Sequence, residues 1–130
     1  MSIDVWEPGK KKESGVEEAL LERFIEAGLM IEEGVDAAFL ESHGIAEESQ
    51  VMKLGLDAWQ AAEIVPVEDI IALIRLFTLV EAFPGWDAGS KSPVIALVGI
   101  LKKRNAFTAD IRKWIKKNTD NRYLPHGSAL

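Results

Sequence analysis

Basic side chains are concentrated near the end of the chain, where they could bind phosphate groups or acidic surfaces. They occupy the end of one predicted helix, the outer side of the next, and one position beyond it: Lys102, Lys103, Arg104, Arg112, Lys113, Lys116, Lys117 and Arg122. Such clusters are the electrostatic footprint of nucleic-acid binding. The same residues would also serve to cap helix ends, to solvate an amphipathic helix, or to face acidic residues within a monomer or across a dimer.

The loop PGWDAGSKS, at positions 84–92, is a second candidate site because it precedes a predicted helix. Backbone N–H groups at a helix N-terminus, helped by a lysine, can bind an anion. The candidate anion-binding residues are Gly89, Ser90, Lys91 and Ser92. A phosphate-binding loop differs in following a strand and in placing its lysine directly after the glycine. A plain connection between helices is the alternative, with Trp86 filling part of the core.

We predict no catalytic residues, no metal site and no cofactor. The chain has no cysteine and no G-x-S-x-G motif, and its two histidines are His43 and His126. Glu18, Glu22 and Glu26 recur at a spacing of four and share one side of a helix. A di-metal bundle would need Glu-x-x-His motifs as well. Neither histidine has a glutamate at that spacing, so we interpret the three carboxylates as a solvated acidic face.

Acidic and basic residues are divided unequally along the 130-residue chain, whose net charge is −6. Fifteen acids and two bases lie between positions 13 and 69, whereas nine bases and two acids lie between positions 91 and 122. The overall acidity disfavours non-specific binding to nucleic acid. The 48% hydrophobic and 28% charged composition is typical of a globular domain. Charge asymmetry is therefore the strongest global signal for a binding function.

The hydrophobic pattern that must position these residues is helical throughout. It predicts an all-α, compact bundle of five to seven helices, over residues 16–33, 35–43, 46–65 (two segments or one bent helix, split near Gly55), 66–83, 93–104 and 108–118. In the first of these, the predicted apolar face consists of Leu20, Leu21, Phe24, Ile25 and Leu29. The two most hydrophobic helices, 66–83 and 93–104, should be central.

Start signals support these helices. Ser14 and Glu17 have the spacing of a capping box, Ser92-Pro93 places a cap before a proline at the first helical position, and Thr108 is a favoured cap. Arg75 lies within the most apolar helix. It must therefore either pair with an acid from another helix or reach the surface along the polar stripe of that helix.

Both ends of the chain are predicted to differ from the bundle. Residues 1–13 form an N-terminal arm, and residues 14–130 form a single helical domain that ends in an extended strap over about 119–130. The last residues, NTDNRYLPHGSAL, place Tyr123-Leu124 before a proline, which favours extended backbone. We expect Tyr123-Leu124-Pro125 to pack across the bundle and residues 126–130 to fray, which leaves Arg122 and His126 as the tail residues of functional interest.

Three functions are compatible with these features. The leading hypothesis is a small, cytoplasmic, non-catalytic protein-interaction or regulatory domain that binds another protein or itself as a homodimer. The first alternative is a nucleic-acid-associated regulator that uses the last two helices. The second alternative is a small ligand binder or enzyme with a site near residues 85–92, formed with Lys91, Arg122 and His126. We expect no membrane association, because the longest apolar stretch is short and interrupted by charges.

Overall fold

α-Helices joined by short 3₁₀ helices form the fold of residues 15–32 and 34–119, which are the residues that the computed structural model describes. The α-helices are α1 (Glu18–Leu29), α2 (Ala37–Ser42), α3 (Val67–Val80), α4 (Pro93–Lys103) and α5 (Ala109–Asn118). The 3₁₀ helices span Ser49–Lys53, Leu56–Ile64 and Gly89–Lys91. These ranges contain no strand, and the predicted all-α class is confirmed.

Helices α3 and α4 lie at the centre of the molecule, as their almost entirely apolar sequences predicted. Helix α3 packs against α1, α4 and α5, and α4 also packs against the 3₁₀ helix Leu56–Ile64. Eight of the fourteen residues of α3 are buried. A helix that is hydrophobic on most sides can bury all of those sides only if other elements surround it.

Three aromatic rings join α1, α3 and the second 3₁₀ helix. The ring of Phe77 lies 5.1 Å from the ring of Phe24 and 5.1 Å from that of Trp59, both in edge-on geometry. Edge-on pairs of buried rings contribute about 0.5–1.5 kcal/mol beyond their burial. The indole N–H of Trp59 is buried without an acceptor in the described part of the chain. The ring therefore stabilises this cluster through its volume and its edge-on contact.

Local signals set several helix boundaries as predicted. The Ser92 hydroxyl accepts a hydrogen bond from the Val94 backbone N–H at 3.2 Å, and Pro93 is the first residue of α4. The Thr108 hydroxyl accepts from the Ile111 N–H at 3.3 Å. A cap that the sequence analysis did not identify begins α2, where the Asp36 carboxylate accepts from the Phe39 N–H at 2.8 Å. Capping side chains satisfy backbone donors that have no partner inside the helix.

The region predicted over 46–65 forms two helical segments that are divided at Gly55, as expected, but both are 3₁₀ helices. Gly55 has a φ of 101°, which interrupts the helical path and is accessible chiefly to glycine. Both segments contribute to the core, since Val51, Met52, Ala58 and Trp59 are buried. The tighter 3₁₀ turn is common in such short connecting segments.

Helix α1 is shorter than the predicted range 16–33, because it ends at Leu29. Leu21 and Phe24 are buried as expected, but Leu29 is 56% exposed. Leu29 follows Glu18 by eleven residues, about three helical turns, so it shares the exposed side of that glutamate. The prediction that Leu29 belongs to the apolar core face was therefore wrong.

Predictions about the chain ends fall mostly outside the described residues. These include the arm at 1–13, Ser14 of the capping box, the strap residues Tyr123-Leu124-Pro125, and both Arg122 and His126. Glu17, which precedes α1, makes no side-chain capping hydrogen bond. Thr119, the last described residue, has extended backbone. No helix of the described ranges combines the length and apolarity that crossing a bilayer requires.

Candidate cationic interface

The last helix, α5, separates an inner apolar side from an outer basic side. Ile115 is buried, and Ile111 and Trp114 are partly buried against the rest of the molecule. The outer side carries four exposed cationic residues: Arg112, Lys113, Lys116 and Lys117. Because 3.6 residues make one turn, positions 112 and 116 lie one above the other, as do 113 and 117.

One contact with α3 supports this orientation of α5, and a second contact lies within α5 itself. The Arg75 guanidinium of α3 lies 5.9 Å from the centre of the Trp114 ring. The side-chain amide of Asn118 donates to the Trp114 carbonyl at 2.8 Å. A cation over an indole face is attracted by the negative charge density of the ring. Arg75 is only partly buried and forms no ion pair within the described ranges, which favours the predicted path towards the surface over pairing with an acid.

The turn between α4 and α5 brings Lys102, near the end of α4, to the same surface as a fifth cation. Asn105 adopts a φ of 57°, and the Ala106 N–H donates to the Leu101 carbonyl at 2.8 Å, which ends α4 and reverses the chain. Lys102 and Arg112 consequently line one surface cavity of about 400 Å³. The Lys102 ammonium lies 6.0 Å from the centre of the Phe107 ring at that cavity.

Arg104 does not belong to this surface. Its guanidinium donates to the Val65 carbonyl at 2.5 Å and to the Glu63 carbonyl, both at the end of the second 3₁₀ helix. The planar fork of an arginine suits two neighbouring carbonyl oxygens, which have no partner within the helix. Arg104 is thus a link between α4 and the first half of the chain.

Lys103 forms an ion pair with Glu63, with the ammonium nitrogen 3.6 Å from a carboxylate oxygen. It is the ion pair found within residues 15–32 and 34–119. The interpretation that basic residues face acids of the same monomer therefore holds for Lys103. The remaining exposed cations of α4 and α5, which we call the basic face, are Lys102, Arg112, Lys113, Lys116 and Lys117.

On α1, the carboxylates at positions 18, 22 and 26 are all exposed and form a second charged surface. We call Glu18, Glu22 and Glu26 the acidic face. No group of three potential metal ligands occurs in the described part of the chain. The carboxylates stand about one helical turn apart along α1. That arrangement matches the predicted solvated face.

The predicted anion loop has a different environment from the one its sequence suggested. Gly89, Ser90 and Lys91 form a short 3₁₀ helix, with Ser90 and Lys91 exposed. Ser92 is fully buried, and its hydroxyl donates to the Glu81 carboxylate. A carboxylate here opposes the approach of an anion. The geometry thus favours a structural role for Ser92, and anion binding at this loop stays a prediction.

A surface cavity of about 310 Å³ beside the loop is also lined by carboxylates. Glu81 and Asp87 both contribute to it, together with Gly89 and the end of α5. Trp86 is buried, as expected for a residue that fills part of the core. Lys91 is exposed, and the other two members of the hypothetical ligand site, Arg122 and His126, lie outside the described residues.

Sequence reasoning missed the contacts that separate structural from exposed cations. The sequence KKR at the end of α4 gives no sign that its third residue reaches carbonyls 39 and 41 positions away. Glu81, directly after α3, did carry a signal in the sequence for its contact with Ser92. A partly buried carboxylate beside a loop needs a donor, and serine was available.

Comparison of the chain with protein-family models, with curated proteins and with solved structures finds no significant match. The two charged faces are therefore the features of the molecule that bear on its function.

Proposed function

We propose that this chain is a small, non-catalytic interaction domain of the cytoplasm that binds an acidic protein surface through its basic face. The observation that carries the proposal is a contiguous group of five exposed cations without a carboxylate partner among the described residues. Like charges held close together repel one another. A surface of this kind is stabilised when an oppositely charged partner covers it.

The local composition of α5 supports a binding role over simple solubility. Asp110 in the first turn is the one acid on the helix, against four bases on its outer side. Solvation alone is served by mixed charges, which avoid mutual repulsion. The cytoplasm is part of the proposal because a chain without cysteine fits a reducing compartment.

A protein partner is favoured over nucleic acid on two grounds. The net charge of −6 opposes a DNA duplex more strongly than the acidic patch of a protein, because a duplex carries one negative charge per about 1.7 Å of its axis. The aromatic ring nearest the basic face, Phe107, is partly buried and already lies against Lys102. It is therefore poorly placed to stack on an unpaired base.

The test is titration of ¹⁵N-labelled protein with poly-L-glutamate and, in parallel, with a DNA duplex of similar charge. We expect poly-L-glutamate to shift amide signals of α5 and of the turn at Asn105, and we expect the shifts to weaken with salt. The duplex should shift them less at every salt concentration.

Lys113→Glu/Lys117→Glu should abolish the poly-L-glutamate response, because it reverses two of the five charges. Lys53→Glu, an exposed charge reversal in the 3₁₀ helix Ser49–Lys53, is the control that should leave the response unchanged. Shifts confined to other elements, or no shifts at low salt, would contradict the proposal. Stronger binding of the duplex would assign the surface to nucleic acid.

A further inference from the structure

We infer that the acidic surface bound by the basic face is the acidic face of α1 in a second copy of this chain. The inference depends on the proposed function, since it names the partner of the same surface. Both faces are exposed, and neither takes part in an ion pair within the described ranges. Their opposite charges make each a suitable cover for the other.

The spacing of the charges supports contact between the two helices. Successive carboxylates of the acidic face are four residues apart, and so are Lys113 and Lys117. Four residues correspond to a rise of about 6 Å along a helix. Two helices lying side by side can therefore match a carboxylate to a lysine at consecutive turns.

An antiparallel arrangement pairs two of the three carboxylates with lysines and keeps the third beside the described part of α5. With Glu18 opposite Lys117 and Glu22 opposite Lys113, Glu26 falls opposite the first turn of α5. That turn borders the cavity between Lys102 and Arg112. A parallel arrangement with Glu22 opposite Lys113 and Glu26 opposite Lys117 matches the charges equally well and places Glu18 opposite the first turn of α5. The exposed apolar residues that follow the acidic face therefore decide between the two directions.

The antiparallel alignment brings together apolar residues that water otherwise contacts. Leu29 and Met30, at the end of α1, are 56% and 61% exposed. In the antiparallel register they fall beside Phe107, which lines the cavity at the other end of the contact. Burial of these side chains would add a contribution that salt does not screen.

Sedimentation velocity at about 50 mM and about 500 mM salt tests whether copies associate, because screening lengths fall severalfold between these conditions. We expect a dimer or larger assembly at the lower concentration and a shift towards monomer at the higher one. If two copies form the contact twice, the assembly is a closed dimer. If each copy binds a different neighbour, a larger assembly results. The contact between α1 and α5 is present in both cases.

A charge exchange tests which faces meet. Glu18→Lys/Glu22→Lys reverses the acidic face, and Lys113→Glu/Lys117→Glu reverses part of the basic face. Each variant should show at least about a tenfold weaker self-association, since it opposes like charges. An equimolar mixture should associate again, because the reversed α1 of one variant meets the reversed α5 of the other.

The matched control is Glu41→Lys/Glu47→Lys, which reverses two exposed carboxylates outside α1. It changes the net charge from −6 to −2, as Glu18→Lys/Glu22→Lys does, and should associate like the unmodified protein. Circular dichroism of each variant verifies that it remains folded.

Two results would overturn the inference: unmodified protein that stays monomeric at low salt, or folded charge-reversed variants that do not associate when mixed. The poly-L-glutamate titration then separates the two proposals. If poly-L-glutamate still binds α5, the basic face serves a different acidic protein and the proposed function stands. If it does not, both proposals fail.

Discussion

Gly28 of α1 lies directly against the backbone of Ala72 in α3. A Cβ atom added at Gly28 would be 2.7 Å from the carbonyl carbon of Ala72 and closer still to its oxygen. A glycine inside a helix normally weakens that helix. The structure shows that its missing side chain lets α1 and α3 come into backbone contact.

Gly28→Ala should therefore destabilise the protein, although alanine normally stabilises a helix interior by about 0.5–1 kcal/mol relative to glycine. Crowding of the Ala72 carbonyl should cost about 1–3 kcal/mol. The control is Gly99→Ala in α4, where an added Cβ meets nothing within 4 Å. Thermal melts should shift in opposite directions. A rise in melting temperature for both variants would show that α1 and α3 can separate without cost.

Arg104→Lys should lower the free energy of unfolding by about 1–2 kcal/mol, because an ammonium cannot replace two hydrogen bonds of a guanidinium fork. Lys103→Ala is the control, since its exposed ion pair with Glu63 should contribute less than about 1 kcal/mol. Urea denaturation measures both. Binding of poly-L-glutamate should be retained by folded Arg104→Lys, and its loss would return Arg104 to the binding surface.

Ser92→Ala should cost more than Thr108→Ala, although both remove a helix cap. The exposed Thr108 cap should contribute about 1 kcal/mol. Ser92 is buried and also donates to the Glu81 carboxylate, so its removal should cost about 2–4 kcal/mol. The comparison is made by urea denaturation under identical conditions. Equal losses would mean that the Ser92–Glu81 contact contributes nothing to stability.

The contact between Arg75 and Trp114 should show a measurable coupling. A double-mutant cycle with Arg75→Met and Trp114→Leu should give about 0.5–1 kcal/mol, the range for a cation over an aromatic ring. The coupling should change little with salt, because Arg75 is partly buried. A coupling near zero would show that α5 is held against the bundle by its buried Ile115 instead.

Local sequence signals predicted helix boundaries well where one side chain acts on its own neighbours. Ser92, Pro93 and Thr108 begin helices as expected, because a cap needs only backbone N–H groups two or three residues away. Hydrophobic periodicity was less reliable. Leu29 continues the apolar spacing of α1, yet its side chain is exposed. Periodicity gives the side of a helix, but a neighbouring element must be present to cover it.

The basic face was predicted in part. Its members on α5 follow from helical periodicity alone, because Ile111, Trp114 and Ile115 must turn inward. The sequence also grouped Arg104 with them, since an arginine that binds carbonyls and one that faces solvent have the same chemistry. The juxtaposition of Lys102 and Arg112 required the turn at Asn105.

The sequence by itself determined the all-α class, the central position of the two most apolar helices and the charged sides of α1 and α5. Each of these depends on residues within a few turns of one another. The tertiary structure alone decided that Gly28 meets Ala72, that Arg104 reaches Val65 and that Glu81 accepts from Ser92. Those contacts join residues far apart in the chain, and their formation depends on the angles and distances at which whole helices pack.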